Sequence, residues 1–518
     1  MENIYSLVAG SCVFFLLLLV WKMLNSAWLK PKRLEKCLRA QGLTGNPYRL
    51  LVGDMKEYLF MLKEAQKKPI SISDDIVPRV TPFFAEIINK YGNNSFCWFG
   101  QNPLVFLMDP ELVKEIFVKI NRFQKPPAKG LAKLLQTGLI SHEGEKWKKH
   151  RKILNPVFHI QKLKHMVPAF RLSVSEMLSE WEAIVSRERS SEELDVWPHI
   201  QRLTSDALSR TAFGSSYEEG RKIFELLKEQ TGYVLMAIRS VYLPGWRFLP
   251  TKKNMRMKYI EKLIQDSIRE IINKRLKAMK EGKANNDDLL GTLLESNQKE
   301  IQINGDKRYG MSIKEVIEEC KFFYSAGQET TSTLIVWTLI LLGRHQDWQS
   351  RAREEVLHHF GRNHPDFEGL NHLKTVNMIF NETMRLYPPV VSLIRKVEED
   401  TKIGTLHLPS GVMVTLPIIL LHYDTKTWGE DAKEFKPERF AEGISNASKG
   451  NNNAVFLPFG WGPRICIGQN FAMVEAKMAL AMILQRFSFH LSTSYSHAPH
   501  NIFTLQPQHG AHLILHKL

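Results

Sequence analysis

The sequence predicts one mostly α-helical domain with small β-sheets, residues 51–518, preceded by one N-terminal transmembrane helix. Three features carry this reading. The chain opens on an uncharged apolar run, its middle holds long stretches of helical periodicity, and strand-like runs are few and short. At 518 residues it is long enough to bury a sizeable core, and its apolar and charged fractions are those of an ordinary globular protein.

The first element is the anchor. From Asn3 to Trp21 no residue is charged, a run of about 19 positions, enough to cross a bilayer as a helix. Only Glu2 precedes it, whereas Lys22, Lys30, Lys32, Arg33 and Lys36 follow. The positive-inside rule then places the N-terminus in the lumen and everything after Lys22 in the cytosol. The competing reading is a cleaved signal peptide, which carries its positive charge before the apolar segment and a small-residue cleavage site after it. Trp21-Lys22-Met23-Leu24 meets neither requirement. Residues 1–29 are therefore read as an uncleaved single-pass anchor. Residues 30–50 follow as a basic hinge, marked by Pro31 and the turn Gly42-Leu43-Thr44-Gly45-Asn46-Pro47.

Within 51–518, much of 143–280 reads as helix, with Ile260 to Met279 amphipathic. The best-defined helix starts at Ser312, where Ser312 and Glu315 form a capping box, and runs to about Arg344. From Leu334 to Leu342 it is apolar nearly all round, which places it in the core. A second helix spans about Leu373 to Leu386 and is stopped by Pro388-Pro389; a third spans Asn470 to Gln485. Strands are expected at Val105-Phe106-Leu107 and Val412 to Leu416, and polar loops at 281–286 and 443–453.

The net charge of +16 points to an acidic partner: nucleic acid, an anionic membrane surface or an acidic protein. No block of like charge and no zinc-finger, helix-turn-helix or RNA-binding pattern occurs, so nucleic acid is set aside. Cys12, Cys37, Cys97, Cys320 and Cys466 are scattered and form no C-x-x-C pair, which argues against a zinc ribbon. His358, His359 and His364 lack metal-site spacing.

The chemistry concentrates in Phe459-Gly460-Trp461-Gly462-Pro463-Arg464-Ile465-Cys466-Ile467-Gly468. Three glycines and a proline surround one cysteine just before a helix. Glycine allows turns closed to other residues and close approach to a flat ligand. A helix N-terminus stabilises a thiolate, and Arg464 adds a cation for an acidic group on a ligand. The alternative is a buried structural cysteine in a tight turn.

Phe459-x-x-Gly462-x-Arg464-x-Cys466-x-Gly468 resembles the haem-binding loop of the cytochrome P-450 family at every fixed position. Further motifs follow in that family's order. Glu382-Thr383-Met384-Arg385 is similar to its E-x-x-R pair, and Pro437-Glu438-Arg439-Phe440 to the segment whose arginine completes a structural triad of Glu382, Arg385 and Arg439. Alone, an E-x-x-R pair looks like any surface ion pair. Ala326-Gly327-Gln328-Glu329-Thr330-Thr331 resembles the oxygen-activation segment, although by itself it also reads as a helix bend with a solvated acid. Trp147-Lys148-Lys149-His150-Arg151 resembles the family's W-x-x-x-R helix; Trp147 alone reads as core packing.

The resemblance covers essentially the whole chain. It is nearest to a plant microsomal branch that includes secologanin synthase and triterpenoid oxidases, carried also by Pro31-Lys32-Arg33-Leu34 and by the ending Gly510 to Leu518. It implies the cytochrome P-450 fold and haem b, iron protoporphyrin IX, held by Cys466 as axial ligand. Arg464, Phe459, Trp147, Arg151 and Arg395 would form the rest of the cofactor site. Glu329 and Thr330 become the catalytic proton donors, and the absence of a side chain at Gly327 leaves room for dioxygen. The implied activity is NADPH-driven insertion of one oxygen atom of O2 into an apolar plant metabolite, a triterpenoid first and an iridoid second. A haem-thiolate isomerase or dehydratase, and a non-enzymatic haem sensor, are the other readings.

With no G-x-G-x-x-G after a strand, electrons must come from a separate NADPH-cytochrome P-450 reductase, which Lys148, Lys149 and Lys152 are placed to meet. The chain is expected as a monomer in the endoplasmic reticulum membrane. Candidate pocket segments are Lys129 to Gly138, Tyr233 to Arg239, Phe323 to Thr330, Val390 to Ile394 and Ile502 to Leu505.

Overall fold

The computed structural model describes residues 2–128, 130–135, 137–185, 191–214, 217–238, 251–283, 286–448 and 455–518. Lys129, Gln136 and Arg239 of the candidate pocket segments, and 284–285 and 449–453 of the expected loops, lie outside the described residues. The chain divides into two compact units, one made of residues 1–67, 76–126 and 392–420, the other of 68–75, 127–391 and 421–518.

The first unit begins with helix α1 (Glu2–Leu24), whose apolar side chains from Val13 to Leu24 are exposed. Among the described residues it supplies the one helix long and apolar enough to cross a membrane. Within the hinge expected at 30–50, Pro31 does not break the chain, which continues as helix to Ala40; the non-helical stretch at 42–47 follows. A π-helical turn at Asn25–Leu29 leads into α2 (Lys30–Ala40). Pro31 has no N–H, so the carbonyl of Ala27, four residues earlier, loses its helical donor. The Tyr48 hydroxyl donates to that carbonyl at 2.7 Å and accepts from the Leu51 N–H at 3.1 Å. A proline that would mark a break is thereby accommodated, and the turn after α2 is tied back to the end of the anchor.

The same unit holds a six-stranded sheet in the order Thr44–Gly45, Ser95–Phe99, Asn102–Phe106, Met413–Leu416, Leu393–Val397, Phe123–Gln124. The two runs expected as strands pair directly, with Val105 opposite Val414 in parallel register. Arg395 lies opposite Val414 on the other side. Phe83, Phe84, Ile87, Leu104 and Phe106 form the core beneath the sheet.

The second unit is mostly helical. Helix α3 (Gly144–Leu154) buries Trp147, His150, Ile153 and Leu154, which the 3.6-residue period places on one face. In the helix Lys252–Lys280, Ile260, Ile264, Ile268 and Ile272 are buried at spacings of four, as the amphipathic pattern predicts. Helix α4 (Ile313–Arg344) starts at the Ser312/Glu315 capping box and is buried from Thr331 to Gly343. Helices α5 (Lys374–Leu386) and α6 (Gln469–Arg486) match the other two expected helices to within a residue.

The buried end of α5 carries the strongest polar contacts of this unit. Arg385 bonds Glu382 through two nitrogens at 2.7 Å each, with both side chains fully buried. Its remaining donors meet the carbonyls of His422, Ala432 and Glu434. Glu382 also accepts the Lys436 N–H at 2.9 Å, and Arg439 approaches it to 3.5 Å. The guanidinium thus knits the end of α5 to the backbone around Pro437. Breaking one partner of a buried ion pair leaves an uncompensated charge and costs about 3–5 kcal/mol. Arg385→Ala is expected to lower unfolding stability by that amount, measured by denaturation of the purified protein; a loss below about 1 kcal/mol would mean the pair is not an organising contact.

Candidate functional site

The cysteine segment is a turn that its glycines make possible. Gly460 and Gly462 adopt φ of 72° and 70°, a region side chains disfavour. A short 3-10 turn, Gly462–Arg464, then brings the chain back so that the Cys466 N–H donates to the Phe459 carbonyl at 2.9 Å. Gly468 caps α6 two residues later, so the cysteine sits just ahead of a helix N-terminus. Cys466 is exposed, whereas Cys97 and Cys320 are buried, and none of the five cysteines forms a disulfide. Cys466 lines a cavity of about 440 Å3 together with Arg151, Asn155, Phe158, Ile465 and Gln469, among others.

Helix α3 presents its functional face here. Arg151 donates to the Ile465 carbonyl at 2.9 Å, beside the cysteine. Burial pushes its guanidinium below the ordinary value while the Cys466 sulfur pulls it back up. The Arg464 guanidinium lies 4.4 Å over the Trp147 ring, donates to the His142 carbonyl at 2.9 Å and pairs with Glu143. Phe158 packs against Phe323 of α4 and Phe471 of α6, with ring centroids at 5.6 and 6.5 Å. Arg395 belongs to the first unit, where it is buried in its strand with its guanidinium 5.8 Å from the Phe117 ring.

These residues fit a haem group by the chemistry of the donor set. One exposed soft sulfur on a glycine turn suits a single axial iron bond, because the thiolate is the form that binds metals. Two arginines and an indole beside it suit the acidic edge of a flat macrocycle.

Helix α4 runs unbroken through 326–331. The Thr330 hydroxyl donates to the Ala326 carbonyl at 2.7 Å, and Thr331 to Gly327 at 2.9 Å. A Cβ at Gly327 would lie 3.2 Å from Leu208, so the structure adds a packing reason for this glycine. Glu329 is bonded rather than solvated: its Oε1 accepts from Thr504 Oγ1 at 3.0 Å and from Gln506 Nε2 at 2.7 Å. Burial pushes its carboxyl up, and these two donors pull it part of the way back.

Sequence reasoning missed several partners. His150, inside the W-x-x-x-R helix, is fully buried and bonds Glu319 of α4 at 2.6 Å; the second Glu319 oxygen accepts the Leu139 N–H at 2.9 Å. The nitrogens of His142 and His150 and the Glu319 carboxylate lie within 4.8 Å of one another, and burial with His150 and Lys146 nearby pushes His142 down to about 4. The short His150–Glu319 bond makes this a clamp between α3 and α4. The available signal was spacing: His150 stands at i+3 from Trp147, on its buried face. Glu143, Thr504 and Gln506 have no such local signal, since their partners are distant in sequence.

A cytochrome P450 family model matches residues 79–514. Among similar curated proteins is cytochrome P450 CYP72A219 of Panax ginseng, 58% identical over 520 residues and covering 100% of both chains. Secologanin synthase 1 of Catharanthus roseus is 53% identical over 521 residues, covering 100% of this chain and 99% of that one. A solved structure of retinoic acid-bound cyanobacterial CYP120A1 superimposes with a TM-score of 0.75 at 21% identity, over 92% of this chain and 99% of that chain, a likeness of fold.

Proposed function

The chain belongs to the cytochrome P450 family, and from that premise we propose that it oxidises a terpenoid, a triterpenoid scaffold first. It is a haem b monooxygenase of the oxidoreductase class. The observation that carries the reading is the exposed Cys466 thiol on its glycine turn ahead of α6. In this reading Cys466 is the axial ligand, and Trp147, Arg151 and Arg464 of the second unit hold the acidic edges of the cofactor. Phe459 sets the cysteine loop by accepting the Cys466 N–H.

Bound haem supplies the activation of dioxygen, while the protein governs access, electrostatics and protons. Thr330 and Glu329 are the proton-handling pair. Thr330 must turn its hydroxyl from the Ala326 carbonyl before donating elsewhere. Burial lets Glu329 keep a proton closer to neutral pH than an exposed acid does. The presence of this pair favours oxygen chemistry over the isomerase and sensor readings, which have no use for it.

The substrate class rests on composition and kinship. Phe323, Val390, Val391, Ile502 and Leu505 in the candidate pocket segments are apolar. An iridoid is the second reading, supported by 53% identity to secologanin synthase 1. The 58% identity to CYP72A219 of ginseng, over the same full length, keeps the chain from being tied to the secologanin synthases alone.

Electrons are assigned to NADPH-cytochrome P-450 reductase, and the chain to the endoplasmic reticulum membrane as a single-pass monomer with its catalytic part in the cytosol. Lys148 and Lys152 are more than half exposed yet already paired with Glu145 and Glu300. Lys149 donates to the Gly310 carbonyl. Docking through these lysines therefore exchanges existing pairs rather than using idle charge.

Microsomes containing the chain and its reductase should convert a member of a triterpenoid panel in an NADPH- and O2-dependent manner; turnover of iridoids alone would replace the first substrate reading by the second. Thr330→Ala should lower coupled product about 10²-fold and raise peroxide release, in the range of positioned proton transfer. Unchanged coupling in that variant would remove Thr330 from the mechanism.

A further inference from the structure

Residues 499–507 form a two-stranded hairpin, with His500 opposite Gln506 and Asn501 opposite Leu505. It is strapped to α4 at three successive turns. Glu329 takes bonds from Thr504 and Gln506, Thr333 donates to Thr504 at 3.4 Å, and the Trp337 indole donates to the Leu505 carbonyl at 2.6 Å. The Leu505 N–H in turn donates to the Pro389 carbonyl at 3.1 Å, just past α5. The hairpin is therefore held from α4 and from the turn after α5, and the Glu329 carboxyl is one of its attachment points.

Both donors converge on one carboxyl oxygen. Gln506 Nε2 reaches Oε1 at 2.7 Å and Thr504 Oγ1 at 3.0 Å, so the carboxamide braces the hydroxyl as well as the acid. A carboxyl gripped through one oxygen keeps its other oxygen for proton traffic. Among the charged groups of α4 and of the helices packed against it, Asp206 pairs with Arg210, Glu382 with Arg385, and Lys321 of α4 with Glu261. Burial pushes the Glu475 carboxyl of α6 well above the usual carboxylate range. His500 is the titratable neighbour on the hairpin itself, across from Gln506. The two neutral donors are thus the contacts that orient Glu329.

We propose that Thr504 and Gln506 are positioning residues for proton delivery, holding Glu329 by Oε1 so that Oε2 releases and regains the proton. This rests on the monooxygenase reading of Glu329 and Thr330 given above. The step balances simply: Oε2–H gives its proton to an acceptor oxygen, and the carboxylate recovers one from solvent water. Donors to a carboxylate favour the charged form, so removing either raises the acid's proton affinity.

The test titrates the haem-loaded, full-length protein by infrared difference spectroscopy, following the carboxyl band that disappears in Glu329→Gln. Gln506→Leu and Thr504→Val should each move its midpoint up by about one pH unit, the scale of one lost hydrogen bond to a charged group. The pH profile of peroxide formed per NADPH oxidised, with reductase and no added substrate, should move in the same direction. An unmoved infrared midpoint in both variants overturns the proposal, and so does a moved midpoint with an unmoved peroxide profile. Thr504→Val carries the test if Gln506→Leu does not fold. The parent reading is judged separately: if Glu329→Gln keeps the wild-type peroxide ratio, Glu329 is not a proton donor, whatever the infrared midpoints do.

Discussion

The second unit depends on presenting one sulfur atom at an exposed position without loosening the helices behind it. The Cys466 turn can do this because Gly460 and Gly462 take left-handed backbone angles and the Cys466 N–H closes onto the Phe459 carbonyl. Cys466 then lines the cavity while α6 begins three residues later at Gln469, rooted in the core by Phe471 and Val474. Arg151 reaches the same loop from α3, so the cysteine is approached from two elements whose positions are set independently.

Those positions are secured by buried charge, which is expensive to leave unpaired. Arg385 and Glu382 tie α5 to the segment around Pro437, and His150 and Glu319 tie α3 to α4. Both contacts lie at no surface and carry no reaction. Their effect is geometric: α3 bears Trp147 and Arg151, and α4 bears Glu329 and Thr330. The hairpin 499–507 adds a third constraint by gripping Glu329 itself. In the first unit, the Tyr48 hydroxyl performs a comparable task by satisfying the carbonyl that Pro31 leaves open.

What was legible in the sequence was local. The capping box at Ser312, the four-residue rhythm of Ile260 to Ile272 and the stop at Pro388 each act through neighbours in the chain, and the elements appear where expected. Val105 and Val414 were readable as strands, though not as partners. Pro31 misled because the residue that rescues it is 17 positions later, and nothing around Tyr48 announces that contact. Gly327 was read for the space it leaves, while its contact with Leu208 depends on how two helices pack. Thr504, Gln506 and Glu319 escaped for the same reason: their meaning comes from partners more than 100 residues away.

The proposed bond between iron and the Cys466 sulfur underlies the cofactor site, and the spectrum of the reduced, carbon monoxide-bound protein reports that bond most directly. Wild-type protein should show the red-shifted Soret band of a thiolate-ligated haem, and Cys466→Ser, prepared under the same conditions, should lack it. A thiolate-type band that persists in Cys466→Ser would contradict the assignment.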